Sequence, residues 1–88
     1  MTIKMAVQMD PMDGININGD SSFALMLSAQ ARGYDIWHYD VGTLTLDAND
    51  RLTALAHPVH DLQRVEGAHY RFGAPKKLDL GADIDVVL

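Results

Sequence analysis

Asp20-Ser21-Ser22 stands directly before an apolar helical run beginning at Phe23, and it brings one carboxylate and two hydroxyls to a single point. Such groups do two kinds of chemistry. A side-chain oxygen at a helix start accepts from a backbone N–H that has no intrahelical partner, a cap worth about 0.5–2 kcal/mol, and Asp20 or Ser21 can fill that role. The same amides, with the positive end of the helix dipole and two hydroxyls beside them, also suit the carboxylate or phosphate of a ligand. Most capped helices bind nothing, and the charge of Asp20 already occupies the dipole, so the plain cap is the commoner outcome. Upstream, Asp10 could hold a ligand ammonium group or serve equally as a turn-stabilising residue before Pro11. Asn16 and Asn18 could offer amide donors and acceptors to a peptide-like ligand, or act only as turn formers. The candidate substrate-binding residues are therefore Asp10, Asn16, Asn18, Asp20, Ser21 and Ser22, and none of them reads as a nucleophile or a matched acid and base.

The elements around these residues follow from pattern. Ile3 to Met9 is almost unbroken apolar sequence, interrupted by Lys4 and Gln8, as a strand covered on both faces would be. Pro11 cannot donate to a ladder, so the strand stops near Asp10. Asp13-Gly14 and Asn18-Gly19 are turn dipeptides flanking Ile15-Asn16-Ile17, which reads as a short extended piece with the isoleucines inside and Asn16 out. The helix runs to Gly33, a residue type that accepts a left-handed conformation, with Arg32 well placed at the negative end of the dipole. Asp35 to Tyr39 is the next strand, expected to run parallel to the first through a right-handed crossover. The fold class is α/β, an open, mainly parallel, Rossmann-like sheet. In such sheets ligands sit beyond the carboxyl ends of the strands, where residues 10–22 lie. The loop has neither dinucleotide glycine spacing nor a Gly-Lys-Ser/Thr sequence, so the common nucleotide fingerprints are missing.

Further on, Thr43 to Leu46 and Arg51 to Ala56 alternate on either side of a polar turn and predict an antiparallel β-hairpin extension. Pro58 is expected to end or kink the second arm. His69 to Phe72 predicts another strand, Leu78 to Ala82 one helical turn, and Val86-Val87-Leu88, preceded by Asp83 and Asp85, a buried central strand. The helix is apolar nearly all round, which predicts that one side packs on the sheet and part of the other meets a second subunit or a further domain. His57, His60 and Asp61 invite a metal, but Pro58 between them argues against one helical face, and surface histidines are the better reading. Asp83 and Asp85 could flank a cation, although solvated acids are commoner. Trp37 and Tyr39 read as core or interface aromatics.

Composition narrows the class. With 88 residues, 48% apolar and 22% charged, the chain makes one small domain that a partner or further domain would help to stabilise. Seven basic against 12 acidic side chains, a net charge of −5, disfavour nucleic-acid binding. There is no cysteine, which fits a reducing compartment. No stretch reads as a membrane span, since Ile3 to Met9 is too short, and a cytoplasmic location is expected.

Met9-Asp10-Pro11, Ile15-Asn16-Ile17-Asn18, Asp20-Ser21-Ser22-Phe23-Ala24 and Ala29-Gln30-Ala31-Arg32-Gly33-Tyr34, in this order and spacing, resemble the opening of the bacterial glutathione synthetases. The likeness is close to about residue 46, loose to Leu80, and returns at Asp83-Ile84-Asp85-Val86-Val87-Leu88. It implies that residues 1–88 are a single N-terminal pre-ATP-grasp domain, incomplete at its C-terminus, with the ATP-grasp region absent. The implied activity joins γ-glutamylcysteine and glycine with ATP and Mg²⁺ bound outside these residues, in a homo-oligomer, and the 88 residues alone are expected to be inactive and to need no cofactor. Two alternatives stay open: another ATP-grasp carboxylate-amine ligase, or a non-enzymatic α/β interaction module.

Overall fold

The computed structural model describes residues 2–9 and 11–88. Lys4–Gln8 (β1) leads through a loop containing the 3-10 turn Met12–Gly14 to the helix Ser21–Ala31 (α1), and Asp35–Tyr39 (β2) follows. Then come Thr45–Leu46 (β3), Leu52–His60 (β4), Arg71–Phe72 (β5), Lys76–Asp79 (β6) and Val86–Val87 (β7). The strands order as β3-β4-β2-β1-β7, with β5 and β6 also paired to β4. β1 is parallel to both β2 and β7, whereas every pairing of β4 is antiparallel. The sheet is thus open and mixed, not mainly parallel. The reason lies in β4, a nine-residue strand whose first half pairs with β3 and β6 and whose second half pairs with β2 and β5.

Strand alternation divides the core. Met5, Val7, Ile36 and Val59 face α1, which buries Phe23, Met26 and Ala29 against them, joined by Met12, Ile17 and Leu62. Ala6, Tyr39, Ala54, Ala56, Leu78, Leu80 and Ile84 form a second cluster, with Trp37 and Leu44 packed at its margin. β1 therefore contributes to both clusters, as its continuous apolar run requires. On α1 the buried stripe is Phe23, Met26 and Ala29, and Leu25 is left 53% exposed. The helix ends as its sequence predicts. Gly33 takes φ +78°, its N–H donates to the Gln30 carbonyl at 3.0 Å, and the Tyr34 N–H donates to the Ala29 carbonyl at 3.1 Å.

Three expectations change. Pro58 does not end β4: its carbonyl accepts from the Gly73 N–H at 2.9 Å, so its nitrogen faces the same side, where residues 73–75 interrupt the neighbouring strands and ask for no donor. Leu78 and Asp79 belong to β6, not to a helical turn, because Leu78 is buried opposite Ala54; only residues 80–83 form a turn, held by Asp79 Oδ1 accepting from the Gly81 and Ala82 amides at 2.9 and 3.1 Å. β7 is the outer strand among the described residues, not a buried central one, with Val86 and Val87 40% and 49% exposed. Ile15 is extended, as its sequence predicts, and Ile17 opens a turn; Ile17 is buried, Ile15 half-buried and Asn16 exposed.

The β3–β4 hairpin carries an acid-sensitive element. Asp47 Oδ1 accepts from the Arg51 N–H at 3.0 Å and the Asn49 N–H at 2.8 Å, and these two bonds hold its carboxyl below the usual value. A carboxyl lowered in the folded state contributes stability above its unfolded pKa of about 3.9 and loses that contribution as pH falls through the folded value. Amide exchange at Asn49 and Arg51 should therefore accelerate below about pH 4, beyond the intrinsic pH dependence, in the native chain and not in Asp47→Ala. Equal pH profiles in the two proteins would refute this role.

Candidate functional site

A cleft of about 340 Å³ opens beyond the carboxyl ends of β1 and β2. Gln8 reaches it from β1 and Met9 from just beyond it, Asp40 and Val41 from the residues after β2, Ile15 from the loop, and Asp20 and Ser22 from the start of α1. The location follows from the parallel pairing of β1 and β2, in register from Lys4 with Asp35 to Gln8 with Tyr39, which brings both strand ends to one level. Asp20 caps the helix through a bond of 2.7 Å from the Phe23 N–H, and its carbonyl accepts from Ala24 at 3.2 Å. By helix geometry the Ser21 and Ser22 amides then have no intrahelical acceptor. Asp40 accepts from the Gly42 N–H at 2.9 Å. Among the described residues two carboxylates and no basic side chain line the cleft, so its charge favours a ligand's ammonium end over a phosphate.

The candidate residues separate. Asp20 and Ser22 are brought together on the cleft. Ser21 is exposed and is not among its walls. Asn16 and Asn18 bond each other, the Asn18 N–H donating to Asn16 Oδ1 at 3.0 Å, and Gly19 packs on the Asn16 amide, 3.1 Å from where a Cβ would be. Asp10 lies outside the described residues. Gln8, Met9, Ile15, Asp40 and Val41 complete the walls without having been singled out in sequence. Asp40 carried a usable signal, being the first residue past the second strand's carboxyl end.

The loop is held from below. His69, 4% exposed, places Nε2 2.7 Å from the Met12 carbonyl, and its Nδ1 is buried without a partner among the described residues. The Tyr70 hydroxyl donates to Asp13, a bond that raises the Tyr70 pKa. A second cleft of about 230 Å³ lies beside this pair and shares Asp40 with the first. A wider groove of about 610 Å³ runs over the second core cluster, between Leu44, Leu80 and Val87.

Of the groups weighed for a metal or cation, His57, Asp61, Asp83 and Asp85 have local partners. His57 stacks on Phe72 at 4.8 Å with Nδ1 3.2 Å from the Gly73 carbonyl, and Asp61 binds Arg71 at 2.7 Å, which lowers its pKa. Asp85 Oδ2 accepts from the Lys4 N–H and Asp83 Oδ2 from the Asp79 N–H, both at 2.9 Å. Among the described residues no three His, Cys, Asp or Glu side chains group to hold a metal, and no helix is long and apolar enough to cross a membrane.

A helix packed on one face of an open mixed sheet, with a cleft where two parallel strands end, defines an α/β domain of the type that receives ligands at its strand ends. Residues 3–88 match the family model of the prokaryotic glutathione synthetase N-terminal domain. A glutathione synthetase of Rhodopseudomonas palustris is 46% identical over 89 residues, taking in 100% of this chain and 27% of the relative. Those of Brucella melitensis and Vibrio parahaemolyticus are 39% and 37% identical, over 100% and 98% of the chain and 27% and 26% of their own lengths. The chain belongs to the prokaryotic glutathione synthetase N-terminal domain family, and it spans about a quarter of the length of these relatives.

Proposed function

We propose that these residues are the N-terminal, pre-ATP-grasp domain of a glutathione synthetase, and that their cleft forms one wall of the γ-glutamylcysteine site. In this reading the parallel core of β7, β1 and β2 is the Rossmann-like part of a sheet that the antiparallel strands extend. The observation that supports it is the position of the cleft: it lies at the two parallel strand ends, inside a chain that matches the family from residue 3 to residue 88.

Asp20 and Asp40 would flank the dipeptide's ammonium group, and the Ser22 hydroxyl and the amides at the helix start would meet a polar oxygen of the same ligand. The proposed reaction uses ATP to phosphorylate the cysteinyl carboxylate; glycine's amine then displaces phosphate and forms the amide of glutathione. An acidic cleft does not fit a triphosphate with its Mg²⁺, so those would be bound by residues beyond this domain. Here the chain's own contribution is to bind and orient one substrate, which is how positioning lowers a barrier without covalent help. A homo-oligomeric assembly in which the exposed side of α1 around Leu25 meets another surface, and a cytoplasmic location, belong to the same reading.

The full-length protein should convert γ-glutamylcysteine, glycine and ATP to glutathione, ADP and phosphate. Ser22→Ala and Asp40→Asn should each raise the KM for γ-glutamylcysteine about tenfold, the loss of one hydrogen bond to a charged group, and Asn18→Ala should leave it within about twofold. A protein that ligated a different carboxylate and amine, and ignored γ-glutamylcysteine, would instead be another ATP-grasp ligase.

A further inference from the structure

Residues 61–70, between β4 and β5, form no strand or helix, yet they reach the loop before α1 at three points far apart in sequence. His69 Nε2 meets the Met12 carbonyl at 2.7 Å, Arg64 Nη1 donates to the Ile17 carbonyl, and the Tyr70 hydroxyl donates to the Asp13 carboxylate. The segment is itself tied to α1. Gln30 Nε2 donates to the Leu62 carbonyl at 2.9 Å and its Oε1 accepts from the Leu62 N–H at 2.7 Å, while the Leu62 side chain is buried in the core under the helix.

We propose that residues 61–70 are a clasp that sets the conformation of the loop 11–20, with His69 and Arg64 as positioning residues for the cleft. Both bind backbone carbonyls, so they place the chain itself regardless of which side chains the loop carries. The loop then delivers Ile15 and Asp20 to the cleft wall. The His69 ring reinforces this. Donating from Nε2 to the Met12 carbonyl leaves Nδ1 as a lone pair, buried with no partner among the described residues. A residue selected for filling the core between Phe23 and Tyr70 would be apolar; a histidine that leaves one nitrogen unpaired to hold one carbonyl is explained by the carbonyl's position. Arg64 works from the outside, its guanidinium 6.0 Å from the Phe23 ring centroid while it holds Ile17.

The kinetic part rests on the reading of the cleft as the γ-glutamylcysteine site; the conformational part does not. Amide exchange in His69→Ala and Arg64→Ala, made in the full-length protein, should quicken about tenfold at Gly14, Gly19 and Asp20, whose N–H groups close the loop turns, and stay unchanged in β1 and β2. In the same variants the KM for γ-glutamylcysteine should rise about tenfold with kcat within about twofold, and His69→Gln, whose amide N–H can take the place of Nε2–H, should return both readouts to near the native values. Loop exchange that does not change, or that rises equally throughout the sheet, would overturn the clasp. A loosened loop with an unchanged KM would overturn the positioning role. Arg64 is exposed, so Arg64→Ala keeps the test informative if His69→Ala unfolds. A native protein inert toward all three substrates would remove the proposed function, and the exchange measurement would still decide the clasp.

Discussion

Phe23→Ala is expected to destabilise the domain by about 3–5 kcal/mol, the usual range for deleting a fully buried aromatic ring. Phe23 is 0% exposed and is among the largest fully buried side chains of the core. Its ring packs edge-on against His69, centroids 5.9 Å apart, and its backbone N–H is the group Asp20 caps. Removing the ring opens a cavity between α1, the loop and the 61–70 segment at once, and the rigid sheet below has little freedom to fill it. A small domain is stable by only about 5–15 kcal/mol, so the loss is a large share of the total. Urea denaturation of the two proteins measures it directly. A loss under about 1 kcal/mol would mean that the site collapses around the missing ring, and that the ring is not what seats the helix.

Gly73→Ala should carry the second largest effect, about 1–3 kcal/mol by overpacking. A Cβ at position 73 would lie 2.6 Å from Pro58 Cγ. That carbon is part of a ring fixed to the middle of β4 and cannot swing aside as a long side chain would. The clash also falls where the Gly73 N–H bonds the Pro58 carbonyl and the Gly73 carbonyl meets His57 Nδ1, so relief by moving the backbone would break two contacts. Thermal denaturation is the measurement. The paired change Pro58→Ala with Gly73→Ala should recover most of the loss, because the two effects act through one contact and are not additive. A single variant as stable as the native chain would show that residues 73–75 shift freely.

These two positions also show where the sequence was readable and where it was not. The helix start at Asp20, its glycine stop, the two parallel strands and the β3–β4 hairpin all rest on local rules, since capping, left-handed glycine and alternation involve neighbours within about five residues. The place of the cleft followed from the same elements, because a strand, crossover helix and parallel strand leave one end for a ligand. Pro58 inside a strand could not be read that way. Whether a proline interrupts a strand depends on what lies beside it, and the gap at residues 73–75 is fifteen or more positions away in the chain.

The walls of the cleft divide in the same manner. Asp20 and Ser22 were legible from the helix start and Asp40 from the end of the second strand, but the pairing of β2 with β1 is what brings Asp40 and Val41 to the same cleft. Asn16 and Asn18 could by type be ligand contacts or turn formers, and in the fold Asn16 Oδ1 accepts from the Asn18 backbone N–H within a turn. By itself the sequence determined the strand, loop and helix that carry the cleft wall, and the family to which the chain belongs. Only the tertiary structure decided that the sheet is mixed, that Val86 and Val87 form its outer strand, and that residues 61–70 hold the loop through His69, Arg64 and Tyr70. Local backbone preferences act over a few residues and leave their mark in the pattern of the chain. Bonds between groups 47 and 57 positions apart leave none, because any donor brought to the same place would serve.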